Sequence, residues 1–316
     1  MANSTEEDYY INSVLFDLFI FSCFGITLAG LVIQLFIVAV NVNDWMKGRS
    51  ITGADKIITS IGISRIFFNA LWLLISSSFI FSEFPETIYI FLEFSLRTLA
   101  TSNIWLSTLL SIFFYFKIST FHNVFFLCMK AIISRKVVYL IIACVLFSVL
   151  HSSVYCFAMP SFFRNSTQDD ILYYRQNEIL SYVGILWTIF PLLIVFIASF
   201  LLIILLGFHI RRMNNHGNKK SSTDTYLRTM KFTVFSFLIC AFYNIVDLLD
   251  HMKLLDFISF NITMNTFPAL HSFLLIYVAT KLRNQLFQIV HCGTNCLSSK
   301  NAPGRQSGKP MEVTPV

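Results

Sequence analysis

Seven long apolar runs, at about 15–42, 56–81, 88–116, 137–159, 180–208, 230–250 and 255–280, constrain this chain more than any other feature. A helix that crosses a bilayer needs about 20 apolar residues at about 1.5 Å rise each, and every run has room for one. Hydrocarbon offers no water to backbone N–H and C=O groups, so only helices or closed barrels span it. Barrel strands would show as alternating segments of about ten residues, whereas these runs are apolar on nearly every face. The expected fold is therefore all-α, a bundle of seven transmembrane helices. Charged residues make up 13% of the chain, against about 25% in an average soluble domain. A mean hydropathy of +0.69 says the same, and disorder, collagen-like repeats and a disulfide-stapled scaffold are excluded.

Residues 1–14 read as an extracellular N-terminus, 15–280 as the bundle, and 281–316 as a short amphipathic helix with a cytoplasmic tail. The segment before the first run carries Glu6, Glu7 and Asp8 and no Lys or Arg. A cleavable signal has a basic flank and a shorter apolar core, so this run is expected to be a retained first span.

Orientation follows from charge. If the N-terminus is outside, the inner segments are 43–56, 117–136, 209–231 and 281–316, and they hold 18 of the 23 basic residues. Arg65 lies within the second span, and only Arg97, Arg164, Arg175 and Lys253 fall outside. Of the 17 acidic residues, only Asp44, Asp55, Asp224 and Glu312 fall inside. Both biases satisfy the positive-inside rule with an odd number of spans and a cytoplasmic C-terminus. The net charge of +6 is accounted for by this topology and by attraction to anionic lipid heads, so no nucleic-acid partner is implied. The same basic loops offer a face to an acidic cytosolic protein.

Three sequons occur, at Asn3-Ser4-Thr5, Asn165-Ser166-Thr167 and Asn261-Ile262-Thr263. Asn3 and Asn165 fall in segments already placed outside by charge, and Asn165 is the favoured acceptor. Asn261 lies beside the start of the seventh span and reads either as an acceptor or as a polar residue facing the bundle interior. Of the seven cysteines, most lie in helices as small apolar fillers, while Cys292 and Cys296 follow a juxtamembrane amphipathic stretch open to palmitoylation.

Catalytic and cofactor signatures are missing: there is no H-E-x-x-H, C-x-x-C pair, P-loop or G-x-S-x-G. No metal or cofactor is expected. Transporters tend to carry broken helices with Gly or Pro in matching halves, and channels a filter-like segment; neither pattern is visible. Short loops and no catalytic constellation fit a signalling receptor.

Ionisable residues inside spans are costly and mark function or structure. Arg65 is the most expensive. It must point into the bundle, where Gln34 of the first span is one candidate partner; it reads as an inter-helix network member or as a ligand contact. His271 and Ser272 in the seventh span invite the same reading. Asp247 and Asp250, near the outer mouth of the sixth, either attract a cationic ligand or form a solvated helix end.

An ordered set of motifs resembles the type 2 (bitter) taste receptor family. Ile63-Ser64-Arg65-Ile66 is similar to its Ile-Ser-Arg signature, preceded by Asp44-Trp45 and Asp55-Lys56-Ile57. Trp105-Leu106-Ser107-Thr108, Leu110-Ser111-Ile112-Phe113, Lys117-Ile118 and Phe121 resemble W-L-x-T-x-L-S-I-F-Y-x-x-K-I-A-x-F. Leu202-Ile203, His209 and Met213 resemble L-L-I-x-S-L-x-x-H-x-x-x-M. Pro268 to Ile276 with Lys281-Leu282-Arg283 resembles P-x-x-H-S-F-x-L-I followed by K-L-R. Departures are Gln34 for the usual Asn, Phe114 followed by Tyr115 for the Tyr, Leu205 for the Ser, Lys220 to Tyr226 for the inner-loop motif, and Val278-Ala279 for Gly-Asn. They mark a divergent member.

The resemblance implies a G-protein-coupled receptor of the plasma membrane. It would bind small bitter compounds in the outer half of the bundle and activate a gustducin-like G protein. The positions it implies for the ligand are Ser76, Leu96, Ala100, Thr101, Asn103, Tyr182, Tyr243, Asp247, Asn261 and Asn265, with ordinary interhelical packing the alternative for each. The family's pocket tryptophans appear as Ser76 and Leu96, so a less aromatic cavity is expected. The implied network comprises Gln34, Arg65, Lys117, His209, His271 and Ser272. The inner surface would be carried by Arg49, Lys117, His122, Lys130, His209, Arg212, Lys231, Leu282 and Arg283, facing a Gα subunit or phospholipid heads. A vomeronasal type 1 chemosensory receptor is the competing architecture. A rhodopsin-like receptor would instead show D-R-Y, C-W-x-P and N-P-x-x-Y where this chain has Lys117-Ile118-Ser119, Cys240-Ala241-Phe242-Tyr243 and His271-Ser272-Phe273. It would also have a disulfide to the start of the third span, for which the cysteines are missing.

Overall fold

A computed structural model describes residues 2–81, 85–118, 124–158, 170–215, 220–251, 254 and 257–300. The described residues form nine helices: α1 (Ala2–Met46), α2 (Gly53–Phe81), α3 (Glu86–Ile118), α4 (Val124–Arg135), α5 (Val137–Ala158), α6 (Asp170–Asn215), α7 (Lys220–His251), α8 (Phe257–Val278) and α9 (Thr280–Lys300). Seven of them, all but α4 and α9, match the seven apolar runs. They pack in a ring in which α1 meets α2 and α8, α7 lies between α6 and α8, and α3 contacts α2, α5 and α6 at the centre.

By length and apolarity, Phe21–Met46, Gly53–Ser77, Thr87–Ile118, Val137–Val154 and Ile189–Phe208 can each cross a membrane. In α7 the apolar stretch is the shorter Val234–Val246, and α8 turns by 93° into α9. The bundle is polar inside and apolar outside. Gln34, Arg65, Asn69, Asn103, Asn265 and His271 are buried, while Phe21, Val32, Leu146, Phe190 and Phe208 are exposed. That inversion is stable only in lipid, where an outward Phe costs nothing and an outward Arg is expensive. Hydroxyls in the spans are satisfied by their own helix. Thr27, Thr98, Thr108 and Ser148 each donate to the carbonyl four residues earlier.

Local chemistry sets the end of α1 and the start of α2. Gly48, with φ of 68°, turns the chain out of α1 in the left-handed region that other residues avoid. Thr52 and Asp55 cap α2 reciprocally: the Asp55 N–H donates to Thr52 Oγ1 (3.2 Å) and the Thr52 N–H to Asp55 Oδ2 (3.0 Å). A core of Ile37, Ile57, Ile61, Leu106, Leu110, Phe113 and Leu275 joins α1, α2, α3 and α8 around this end. At Gly62 the α1–α2 contact is so close that an added Cβ would lie 2.7 Å from Val38 Cγ2.

Two elements differ from the sequence reading. The segment at 117–136, read as an inner loop, contains α4, whose Ile133 is buried in that core and whose Phe126 stacks on Phe116 at 4.8 Å. Helix α1 begins at Ala2, well before the apolar run.

Candidate functional site

The polar centre of the bundle is built on Arg65, which has no exposed surface. Its Nη1 donates to Ser272 Oγ (2.7 Å) and to the Pro268 carbonyl (3.3 Å), and its Nη2 to His271 Nδ1 (3.2 Å). The guanidinium carbon lies 5.6 Å from the centre of the Phe267 ring, within reach of a cation–π attraction. Gln34 Nε2 donates to the same carbonyl (3.3 Å) and to the same Ser272 hydroxyl. Helices α1 and α2 thus converge on one turn of α8. Gln34 neighbours Arg65 by sharing its acceptors, not by pairing with it directly.

A guanidinium only donates, so His271 Nδ1 must accept. The neutral imidazole then carries its proton on Nε2, which donates to Ser236 Oγ on α7 at 3.2 Å. Four helices are tied through one cation. Among the described residues no carboxylate hydrogen-bonds Arg65, so serine, carbonyl and imidazole acceptors carry its charge. In a low-dielectric interior such charge-assisted bonds are strong and costly to leave unmade. Any shift of α8 against α2 must exchange them as a set, which suits a two-state element.

The residues expected to contact ligand fall into groups. Thr101 and Asn103 are buried on α3. The Thr101 hydroxyl lies 3.5 Å from His151 Nδ1, and Asn103 Oδ1 is buried without a hydrogen-bond partner. Tyr243 on α7 lies over Phe267, ring centres 4.2 Å apart, in a cluster with Cys240 and Met264, and so reaches the Arg65 centre through that ring. Asn265 Oδ1 lies 3.3 Å from the Thr27 hydroxyl on α1, whose proton goes to the nearer Cys23 carbonyl at 2.7 Å. Ser76, Leu96 and Ala100 are half-buried, and no described hydrogen bond joins them to the others. Tyr182, His209, Asp247 and Asn261 lie on α6, α6, α7 and α8, with side chains outside the described residues, as is the side chain of Asn3 on α1. Asn165 lies outside the described residues altogether. Lys117 is exposed in the last turn of α3 and stands apart from the Arg65 centre.

Three features escaped the sequence reading. Asn69, buried one helical turn after Arg65, shares its face of α2, and that spacing was the available signal. An aromatic stack sets Trp187 between Phe147 (4.4 Å) and His151 (4.5 Å), with Trp105 edge-on to both Phe147 and Trp187. Where α1 ends, Lys281 Nζ meets Asp44 Oδ2 (2.8 Å) and Asn41 Oδ1 (2.9 Å), and Asn41 donates to Thr59 (2.9 Å), pinning the start of α9 to α1 and α2. Among the described residues no group of three His, Cys, Asp or Glu side chains is placed to hold a metal ion.

A bundle of apolar helices with a buried, hydrogen-bonded polar centre is the architecture of a membrane protein with several spans. The family model for taste receptor protein (TAS2R) matches residues 12–294. Taste receptor type 2 member 3 of Pongo pygmaeus is 28% identical over 285 residues, 83% of this chain and 90% of that protein. Taste receptor type 2 member 4 of Homo sapiens is 29% identical over 232 residues, covering 71% and 78%. Taste receptor type 2 member 7 of Pongo pygmaeus is 28% identical over 284 residues, covering 83% and 88%. The chain belongs to the TAS2R taste receptor family, the class of bitter taste receptors within the G-protein-coupled receptors. Between the two readings left open by the sequence, this membership selects the taste receptor.

Proposed function

We propose that this receptor admits small bitter compounds from the cell exterior into the outer half of the bundle and signals through a gustducin-type G protein at its inner ends. The chain sits in the plasma membrane with its N-terminus outside and its tail, 281–316, in the cytoplasm, as the basic residues of the inner segments support. Asn165, and Asn3 beside it in the outer set, carry glycans. The ligand lies among Ser76, Leu96, Ala100, Thr101, Asn103, Tyr182, Tyr243, Asp247, Asn261 and Asn265.

The observation that carries this reading is the Tyr243–Phe267–Arg65 contact, with ring centres 4.2 Å apart and the guanidinium 5.6 Å beyond. A ligand that displaces Tyr243 moves the ring lying against the cation that ties α1, α2, α7 and α8. That gives ligand and inner face a shared two-state element, and binding shifts its equilibrium. Arg49, Lys117, Lys130 and Lys231 then speed encounter with an acidic Gα surface or hold anionic lipid heads.

The test is a calcium assay in cells expressing the receptor with a gustducin-chimeric Gα, run against a broad bitter library and a panel of volatile and steroid cues. At least one bitter compound should give a saturable signal that disappears without the Gα. A response confined to the volatile or steroid panel would refute the reading.

A further inference from the structure

A small cavity lies between α3, α6, α7 and α8, lined chiefly by Ser107, Ser199, Ser236, His271, Leu202 and Phe232, with room for about one water molecule. Ser107, Ser199 and His271 are at least 95% buried, and Ser236 is nearly so. Ser107 Oγ is buried without a hydrogen-bond partner and lines this space. A buried hydroxyl left unpaired is costly. Dry cavities are apolar, whereas polar ones with two to four convergent partners hold ordered water.

The Arg65 relay decides which way the cavity's hydrogen bonds run. Arg65 forces His271 to accept at Nδ1, so Nε2–H donates to Ser236 Oγ, at 3.2 Å for each contact. Ser236 has then used its oxygen as an acceptor toward α8, and its own O–H is shared between Cys240 Sγ, one turn on along α7, and the cavity. Ser107 Oγ, on the facing wall, has received nothing.

We propose that this cavity is a binding site for one water molecule. It accepts from the Ser236 hydroxyl, donates to Ser107 Oγ, and is completed by Ser199. The chain Arg65–His271–Ser236–water extends the cation's hold from α1, α2, α7 and α8 to α3 and α6, which the described protein–protein hydrogen bonds of that centre do not reach. The site needs no agonist and is independent of the bitter reading above.

Direct evidence comes from a structure of the wild-type full-length receptor at a resolution that shows ordered waters. A peak about 2.6–3.2 Å from both Ser107 Oγ and Ser236 Oγ is expected. An empty cavity, or a Ser107 hydroxyl turned onto its own helix backbone, would overturn the proposal. Energetic evidence comes from a cycle of Ser107→Ala and Ser199→Ala in the ligand-free full chain in nanodiscs. No hydrogen bond joins these two side chains among the described residues, so without a bridge their effects add. With the water, each single substitution lowers the melting midpoint by about 2–4 °C, and the double variant falls by little more than one single. Additive falls, or no fall in either single variant, would refute it; if a variant does not fold, the wild-type density decides.

Discussion

Ser272→Ala is the smallest change that strikes the centre of the bundle. The lost oxygen accepts from Gln34 Nε2 and, at 2.7 Å, from Arg65 Nη1, in a residue with no exposed surface. A charge-assisted hydrogen bond is worth about 1.5–3 kcal/mol and a neutral one about 0.5–1.5 kcal/mol. Both donors keep the Pro268 carbonyl at 3.3 Å, which recovers part of the loss. The net cost is about 2–4 kcal/mol, a rise of about 30- to 700-fold in the unfolded fraction at about 1.4 kcal/mol per decade. For the purified receptor, heated in detergent without ligand, the midpoint should fall by about 5–10 °C. Gln34→Ala alone should cost less, since only neutral bonds are lost, and the Gln34→Ala/Ser272→Ala double variant should cost less than the sum because one bond is shared. A Ser272→Ala midpoint within about 1 °C of the parent, or strict additivity of the pair, would show that Arg65 and Gln34 do not rely on Ser272.

Arg65→Ala leaves Ser272, His271 and the Pro268 carbonyl facing a void, so agonist-evoked calcium signals should vanish together with most of the surface pool, measured on intact cells by antibody. Asn103→Ala removes a buried, unpartnered carbonyl oxygen at the expected pocket; agonist potency should shift by about 3- to 30-fold at unchanged surface expression. At the α1–α2 contact, Gly62→Ala forces its methyl to 2.7 Å from the stiff Val38 side chain and should cost about 1–3 kcal/mol in the same melting assay. Gly25→Ala, with nothing within 4 Å, should be neutral or gain up to about 1 kcal/mol from helix propensity.

Much of the fold was legible because lipid imposes a coarse code. Length and apolarity alone place the helices that carry Phe21–Met46 or Ile189–Phe208. Arg65, His271 and Ser272 stood out for the same reason, since a charged or polar group in a span must find partners indoors. Which partners it finds is set by helix rotation, which no run length encodes. Hence Gln34 was visible as a neighbour of Arg65, but the sharing of Ser272 and the Pro268 carbonyl was not. Helix α4 was hidden because its basic residues, Lys130 and Arg135, read as a loop, although Phe126, Met129 and Ile133 repeat at helical spacing. The Asp44–Lys281 link joins residues far apart in the chain that each read only as inner charge. The stack of Phe147, His151 and Trp187 was missed because aromatics on a lipid-facing helix carry no positional signal of their own.

Nucleotide exchange on a purified gustducin-type heterotrimer, with the full-length receptor in nanodiscs, tests the central claim without the rest of the cell. An agonist from the bitter library should raise the exchange rate several-fold with the wild-type receptor and leave it unchanged with Arg65→Lys, whose compact ammonium lacks the planar fork that reaches Ser272 from Nη1 and His271 from Nη2. Exchange that ignores every bitter compound, or that responds equally well in Arg65→Lys, would contradict a receptor whose ligand signal passes through the Arg65 centre.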